Sequence, residues 1–384
     1  MKKLGDIGKI ITGNTPKTSD PKNYETRSIC FVKPSDIAED KITRILCSEF
    51  YISEYAREKA RIVPPESVLV TCIGSIGKVA ISGIECAINQ QINAIIPDSS
   101  KCNAEYLAYL LQYKKSELQF MANAPVVPIL NKSQFSELSI ELPSLDEQKI
   151  VNQRLNKITN IISLRQQQLA KLDELVKARF VEMFGDPLQN QRGWPTKSLL
   201  EMGCCKNGMN FHADDSGIEI RCLGVGDFKD LSVIEGTAQL PMVSLGQKPS
   251  EESMLHDGDI VFVRSNGNKN LVGRCVVVYP GTTPTTYSGF CIRYRLTCND
   301  VIIPYLMCVL KSESTRSKMT GRGANIQNLN QQILATLNVP IPPMECQQKF
   351  ADIVVKCDRA KLSIQKSLEQ METLKKALMQ KYFG

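Results

Sequence analysis

The sequence predicts an α+β protein: two similar mixed α/β domains separated by two long antiparallel coiled-coil helices, with a pseudo-two-fold internal repeat. Three observations lead there. The second half of the 384-residue chain repeats the first at an offset of about 199 residues. Each half closes on a stretch of about 40 residues with neither proline nor glycine. Within each of those stretches apolar residues recur by alternating steps of four and three, the spacing of one stripe along a helix.

The repeat is sharpest toward the end of each half. Leu130-Asn131 falls on Leu329-Asn330, Pro143 on Pro342, Gln148 on Gln347 and Leu175 on Leu374. Lys177-Ala178 meets Lys376-Ala377, and Phe184-Gly185 meets Phe383-Gly384. Upstream the match is looser, as loops of unequal length require. Leu4 to Gly8 resembles Leu199 to Gly203, Asp36 pairs with Asp227, Ile76-Gly77-Lys78-Val79 with Val272-Gly273-Arg274-Cys275, and Tyr106-Leu107 with Tyr305-Leu306. Each half is thus a variable globular region followed by a better-matched helix.

The first stripe runs through Val151, Leu155, Ile158, Ile162, Leu169, Leu172, Val176 and Met183, with Arg165 and Arg179 at the skipped positions. The second runs through Phe350, Val354, Cys357, Ile364, Leu368, Met371, Leu378 and Tyr382, with Lys361 and Lys375 in the gaps. A stripe this long needs a partner, and two related stripes of equal length are expected to cover each other; basic residues facing inward then cost stability but fix register. About 40 residues at ~1.5 Å per residue make a rod of roughly 60 Å. If the helices run antiparallel, the globular regions are expected at opposite ends. Ser144 is the expected N-cap of the first helix, with Glu147 completing a capping box, and Gly185-Asp186-Pro187 its stop.

Composition excludes several classes. With 42% hydrophobic and 23% charged residues the chain is neither disordered nor membrane-spanning, and a net charge of +7 is mildly basic, compatible with a nucleic-acid partner. No apolar core follows Met1-Lys2-Lys3, so a cytoplasmic location is expected. The 14 cysteines show no Cys-x2-Cys pair, and His212 and His256 are the only histidines; buried thiols in a reducing compartment are expected, with no metal site and no disulfide framework. Catalytic signatures are lacking too. Val63-Pro64-Pro65-Glu66 and Ile341-Pro342-Pro343-Met344 do not fit an adenine methyltransferase loop, and Gly74-Ser75-Ile76-Gly77-Lys78 lacks the spacing of a phosphate loop.

Outside the helices, Ser67–Cys72 and Asp259–Arg264 read as strands running into Gly-containing polar loops. Arginine and amide side chains can bond base edges, and lysine can hold phosphates. Candidate nucleic-acid contacts are therefore Lys78, Asn89, Gln90, Gln91 and Asn93 in the first half. In the second they are Arg264, Ser265, Asn266, Asn268, Lys269, Arg274, Arg322, Asn325 and Gln327.

A globular region, a proline-led helix entry with glutamine, a long helix, and all of it again: this order resembles the specificity subunits of type I restriction-modification systems. The paired Pro143/Gln148 and Pro342/Gln347 entries and the paired Lys-Ala…Phe-Gly helix ends carry the resemblance, which spans essentially the whole chain. It implies target-recognition domains at 1–143 and 186–341 and spacer helices at 144–185 and 342–384. It also implies a non-catalytic subunit that reads a bipartite, gapped DNA site and docks two methyltransferase subunits acting on adenine N6. Motor/nuclease subunits would complete the complex, and S-adenosylmethionine, ATP and Mg would sit on those partners, with no cofactor in this chain. The alternatives are a self-contained DNA methyltransferase or nuclease, and a helical scaffold with no DNA role.

Overall fold

A computed structural model describes residues 1–122, 127–211, 217–228, 231–320 and 328–384. The chain forms two compact units, one of residues 1–166 with 365–384 and the other of residues 167–364.

The first unit is built on a five-stranded sheet of Gly8–Thr12 (β1), Thr43–Ile45 (β2), Val68–Thr71 (β3), Val79–Ser82 (β4) and Ile92–Pro97 (β5). The order is β1-β5-β3-β4-β2, antiparallel except for the parallel β4–β2 pair. The second unit carries Gly203–Asn207 (β6), Val233–Glu235 (β7), Asp259–Val263 (β8), Cys275–Tyr279 (β9) and Cys291–Leu296 (β10). Their order is β6-β10-β8-β9-β7, and again only the last pair is parallel. The repeat read from sequence is therefore a repeat of topology. A smaller sheet accompanies each: Ile29–Val32, Phe50–Ile52, Ile62–Val63 and Cys86–Ile88 in the first unit, and Ile218–Leu223, Met242–Leu245 and Thr285–Tyr287 in the second.

The central strands explain why each sheet is buried on both faces. Along β3, Val68 and Val70 enter one apolar cluster and Leu69 another; along β8, Ile260 and Phe262 enter one and Val261 and Val263 the other. Alternation of side chains across a strand feeds both cores from one continuous apolar run.

The long helices are Leu145–Phe184 (α1) and Met344–Phe383 (α2). Ser144 and Glu147 form the expected capping box, with the Ser144 N–H donating to Glu147 Oε2 at 3.0 Å and the Glu147 N–H to Ser144 Oγ at 3.4 Å. These bonds from Ser144 hold the Glu147 carboxyl below its ordinary pKa. Gly185 ends α1 at φ +72°, where a side chain would be strained. In the first unit the start of α1 lies against the end of α2, with Arg154 donating to the Tyr382 hydroxyl at 2.7 Å. In the second unit the end of α1 lies against the start of α2, with Lys361 paired to Asp173 at 2.6 Å. The helices are antiparallel in both.

The stripe residues are not equally covered. Val151, Leu155, Ile158 and Phe350 are buried, whereas Ile162, Leu169, Leu172, Val176, Val354, Ile364, Leu368, Met371 and Leu378 are half-buried. Arg165, Lys361 and Lys375 do face inward and are half-buried. Arg179 does not: it is exposed and pairs with Glu182 at 2.6 Å, and Phe180 takes the inward position. The heptad step slips there because the second unit fills that place with rings. Phe180, Phe184, Phe350 and Tyr305 stack with centroids 4.8–5.9 Å apart. The first unit fills the equivalent space with Met379, Val151, Tyr106 and Phe383.

One buried side chain fastens each long helix to its globular region. Gln148 donates to the carbonyls of Lys101 (3.0 Å) and Pro143 (2.9 Å) and accepts from the Asn103 N–H (2.8 Å). Gln347 repeats the set on Asp300 (2.9 Å), Pro342 (2.9 Å) and Ile302 (3.0 Å). Every bond in one has its counterpart 199 residues on.

Candidate nucleic-acid interface

Three loops converge at one end of the central strands of each five-stranded sheet, held by the same backbone bonds. In the first unit the β3–β4 loop (72–78) meets the turn before β5 (89–91) through Cys72 N–H to Gln91 O, 2.8 Å. It meets the segment at 128–130 through Leu130 N–H to Cys72 O, 2.9 Å, and a bridge between Ile73 and Ile129. In the second unit the β8–β9 loop (264–274) meets the turn before β10 (288–290) through Arg264 N–H to Phe290 O, 2.8 Å. It meets the segment at 328–329 through Leu329 N–H to Arg264 O, 2.8 Å, and a bridge between Ser265 and Asn328. The frames match bond for bond while the side chains on them differ: Cys72, Ile73, Gln91 and Ile129 against Arg264, Ser265, Phe290 and Asn328. A constant frame with exchangeable side chains is what reading two different sequences requires.

The second frame is polar and self-braced. Asn266 Oδ1 accepts the Asn268 N–H at 2.8 Å and Asn268 Oδ1 accepts the Asn270 N–H at 3.0 Å, so the amides shape the loop as well as lining it. Arg264, Ser265, Asn266 and Arg274 are half-buried; Asn268 and Lys269 are exposed. The Arg264 guanidinium donates to Gly289 O at 3.2 Å, and Arg316 braces the loop from behind through Asn270 O (3.1 Å) and Val272 O (3.2 Å). Arg322, Asn325 and Gln327 lie outside the described residues.

The first unit corrects part of the expected set. Asn93 is 0% exposed; its amide donates to Leu130 O at 2.9 Å and its carbonyl accepts from Thr12 at 2.6 Å. Asn89 is also buried and bonds Gln91, closing the turn. Asn93 lies within β5 and Asn89 in the turn before it, and both are buried with their amides bonded into the frame. Gln90 is exposed at the turn tip, bonded by Thr15, and Gln91 is half-buried. Lys78 is held with Lys115 by one carboxylate, Glu39, at 3.3 and 2.5 Å. Lys115 first, and Lys78 second, hold the Glu39 carboxyl below its ordinary pKa.

Sequence reading missed Phe290, Asn328 and Arg316. For Phe290 a signal existed: it is the repeat partner of Gln91, which was singled out. Desolvation pushes Cys72 up to about 11 and Cys86, Cys102, Cys222 and Cys291 up to about 12, far from a reactive thiolate at neutral pH.

Comparison with known proteins bears on the same architecture. The specificity subunit of the type I restriction enzyme StySPI from Salmonella potsdam is 23% identical, over 99% of this chain and 87% of that one. That of MjaIX from Methanocaldococcus jannaschii is 25% identical, over 99% and 91%. Among solved structures, the S subunit of a type I restriction-modification system from M. genitalium superposes with a TM-score of 0.58 at 13% identity, covering 100% of this chain and 95% of that chain. A chain solved to explain complex assembly and conformational transition of the type I R-M system gives 0.61 at 16%, over 99% and 96%. Both share the fold. Residues 1–174 and 227–373 match the model of the type I restriction modification DNA specificity domain, most of each half, and the chain belongs to that family of DNA-specificity proteins.

Proposed function

We propose that this chain is the non-catalytic, sequence-reading subunit of a type I restriction-modification complex. Each unit reads one half of a bipartite, gapped DNA site with its three-loop frame. The paired long helices set the gap and dock two methyltransferase subunits, which methylate adenine N6; motor/nuclease subunits join these for cleavage. S-adenosylmethionine, ATP and Mg belong to the partners, and the complex works in the cytoplasm. The observation that carries this reading is the duplicated loop frame bearing different side chains. Co-expression with its methyltransferase subunits and genome-wide mapping of adenine methylation tests it: a gapped motif with two unlike halves is expected, and a continuous motif or none overturns it.

Two variants test the faces assigned to DNA. Arg264→Ala is expected to cost about 1–3 kcal/mol of specific binding and to relax the motif at one position in one half only, the signature of a base-edge contact. Relaxation in both halves would contradict it. In the first unit Glu39 competes with DNA phosphate for Lys78 and Lys115. Glu39→Gln releases both ammonium groups, so non-specific affinity rises and the log–log salt slope steepens by up to about 2. Titration of duplex binding against salt reads this directly, and an unchanged slope rejects the competition. The same release follows acidification: the depressed Glu39 carboxyl keeps the latch charged at neutral pH, and the latch opens as pH falls through that lowered value.

A further inference from the structure

We propose that Phe290 reads a thymine methyl group in the half-site recognised by the second unit. This rests on the DNA-reading function above and names a specificity contact within it. The Phe290 side chain is 63% exposed, among the most exposed large apolar groups in the chain. A single exposed aromatic needs no explanation by itself; its mounting does. The turn at 288–290 is fixed on every side. The Phe290 carbonyl accepts the N–H groups of Arg264 at 2.8 Å and Ser265 at 3.3 Å, and its own N–H donates to Ser288 Oγ at 3.3 Å. Below it the Gly289 N–H donates to Met209 O at 2.6 Å. The backbone is rigid and the ring points out.

The neighbours set what the ring can meet. Phe290 is bonded through its backbone to Arg264 and Ser265, and Arg264 reaches back to Gly289 O at 3.2 Å. A ring mounted beside arginine and amide groups that address base edges comes level with those edges. Base edges are polar with one exception, the C5 methyl of thymine in the major groove, and phenylalanine is among the side chains that contact it. The frame also explains why the first unit differs: its equivalent residue is Gln91, a donor and acceptor, so the two halves of the site are read by different chemistry at one structural position.

The test uses the chain assembled with its methyltransferase subunits and duplexes carrying the mapped motif. Each thymine of the motif, on either strand, is replaced in turn by deoxyuridine, which removes only the methyl. The wild-type complex is expected to lose about fourfold in affinity at one position, the factor one buried methyl is worth. Phe290→Ala is expected to bind the thymine duplex about fourfold or more weakly and to be indifferent to the same replacement, while Phe290→Leu keeps part of the discrimination. Exposure of the ring leaves little folding role for it to confound the comparison. A wild-type complex indifferent to every replacement, a motif without thymine, or a Phe290→Ala complex that still distinguishes the two bases overturns the assignment. A complex that binds no gapped motif overturns the DNA-reading function as well.

Discussion

Gln347→Glu is expected to destabilise the second unit by roughly 2–6 kcal/mol, because two buried carbonyls lose their donor and face an oxygen instead. Gln347 is fully buried and donates both amide protons, one to Asp300 O and one to Pro342 O, while Oε1 accepts the Ile302 N–H. A glutamate keeps the acceptor and loses the donors. Even protonated, it can serve only one of the two carbonyls, and charged, it is a buried anion among lone pairs. Gln347→Ala separates the contributions, since it also removes the acceptor of the Ile302 N–H. Hydrogen exchange distinguishes the two variants: Ile302 should lose protection in Gln347→Ala and retain more of it in Gln347→Glu. Gln148→Glu should do the same around Lys101, Asn103 and Pro143 in the first unit. Unaltered unfolding midpoints in the glutamate variants would show that these carbonyls find water, and that the glutamines are not the fasteners of the helices.

That fastening was half legible. The coincidence of Gln148 with Gln347 and of Pro143 with Pro342 stands out in a self-comparison, as do the stripes and the Ser144 cap, because all are local patterns with fixed periods. What the glutamines bond to was not legible: beyond the prolines five residues back, their partners are backbone groups 45 and 47 residues away, and backbone carries no side-chain signature. The candidate interface divides likewise. The loops 264–274 and 89–91 were found from composition, yet composition could not tell Gln90, at the turn tip, from Asn93, which points into the core beside Leu130. Gln90 lies in the turn, whereas Asn93 lies within a strand buried on both faces, and where the turn gives way to the strand is set by pairing, not by residue type. Arg179 shows the same limit along a helix: next to the large Phe180, burial of rings outweighed strict heptad spacing. Lys78 shows a third, because its tether Glu39 is distant in sequence and only the folded chain brings them together.

Asp259→Ala is expected to cost about 3 kcal/mol, the lower end of what breaking a buried ion pair costs, because Arg295 keeps some access to water. Asp259 opens β8 and is 1% exposed; both its oxygens are met by Arg295 at 2.7 Å, and Oδ2 also accepts the His256 N–H at 2.7 Å. Removing the carboxylate strands a guanidinium that, among the described residues, retains only Met254 O, at 3.0 Å. The chain itself supplies the control. By strand register the first unit places Ser67 and Ile96 at these two positions, and there Ser67 donates to Pro64 O at 2.7 Å with no charge at all. The same fold is therefore stable with a hydroxyl and an apolar side chain in place of the pair. Buried ion pairs replaced as a unit by groups that pack are often neutral, whereas halves of them are costly. Asp259→Ser with Arg295→Ile should then recover most of what Asp259→Ala loses, and chemical denaturation of wild type, both single variants and the double measures the coupling. If the double variant is as unstable as the two single losses added together, the two side chains are uncoupled and the equivalence of the two sheets at this position fails.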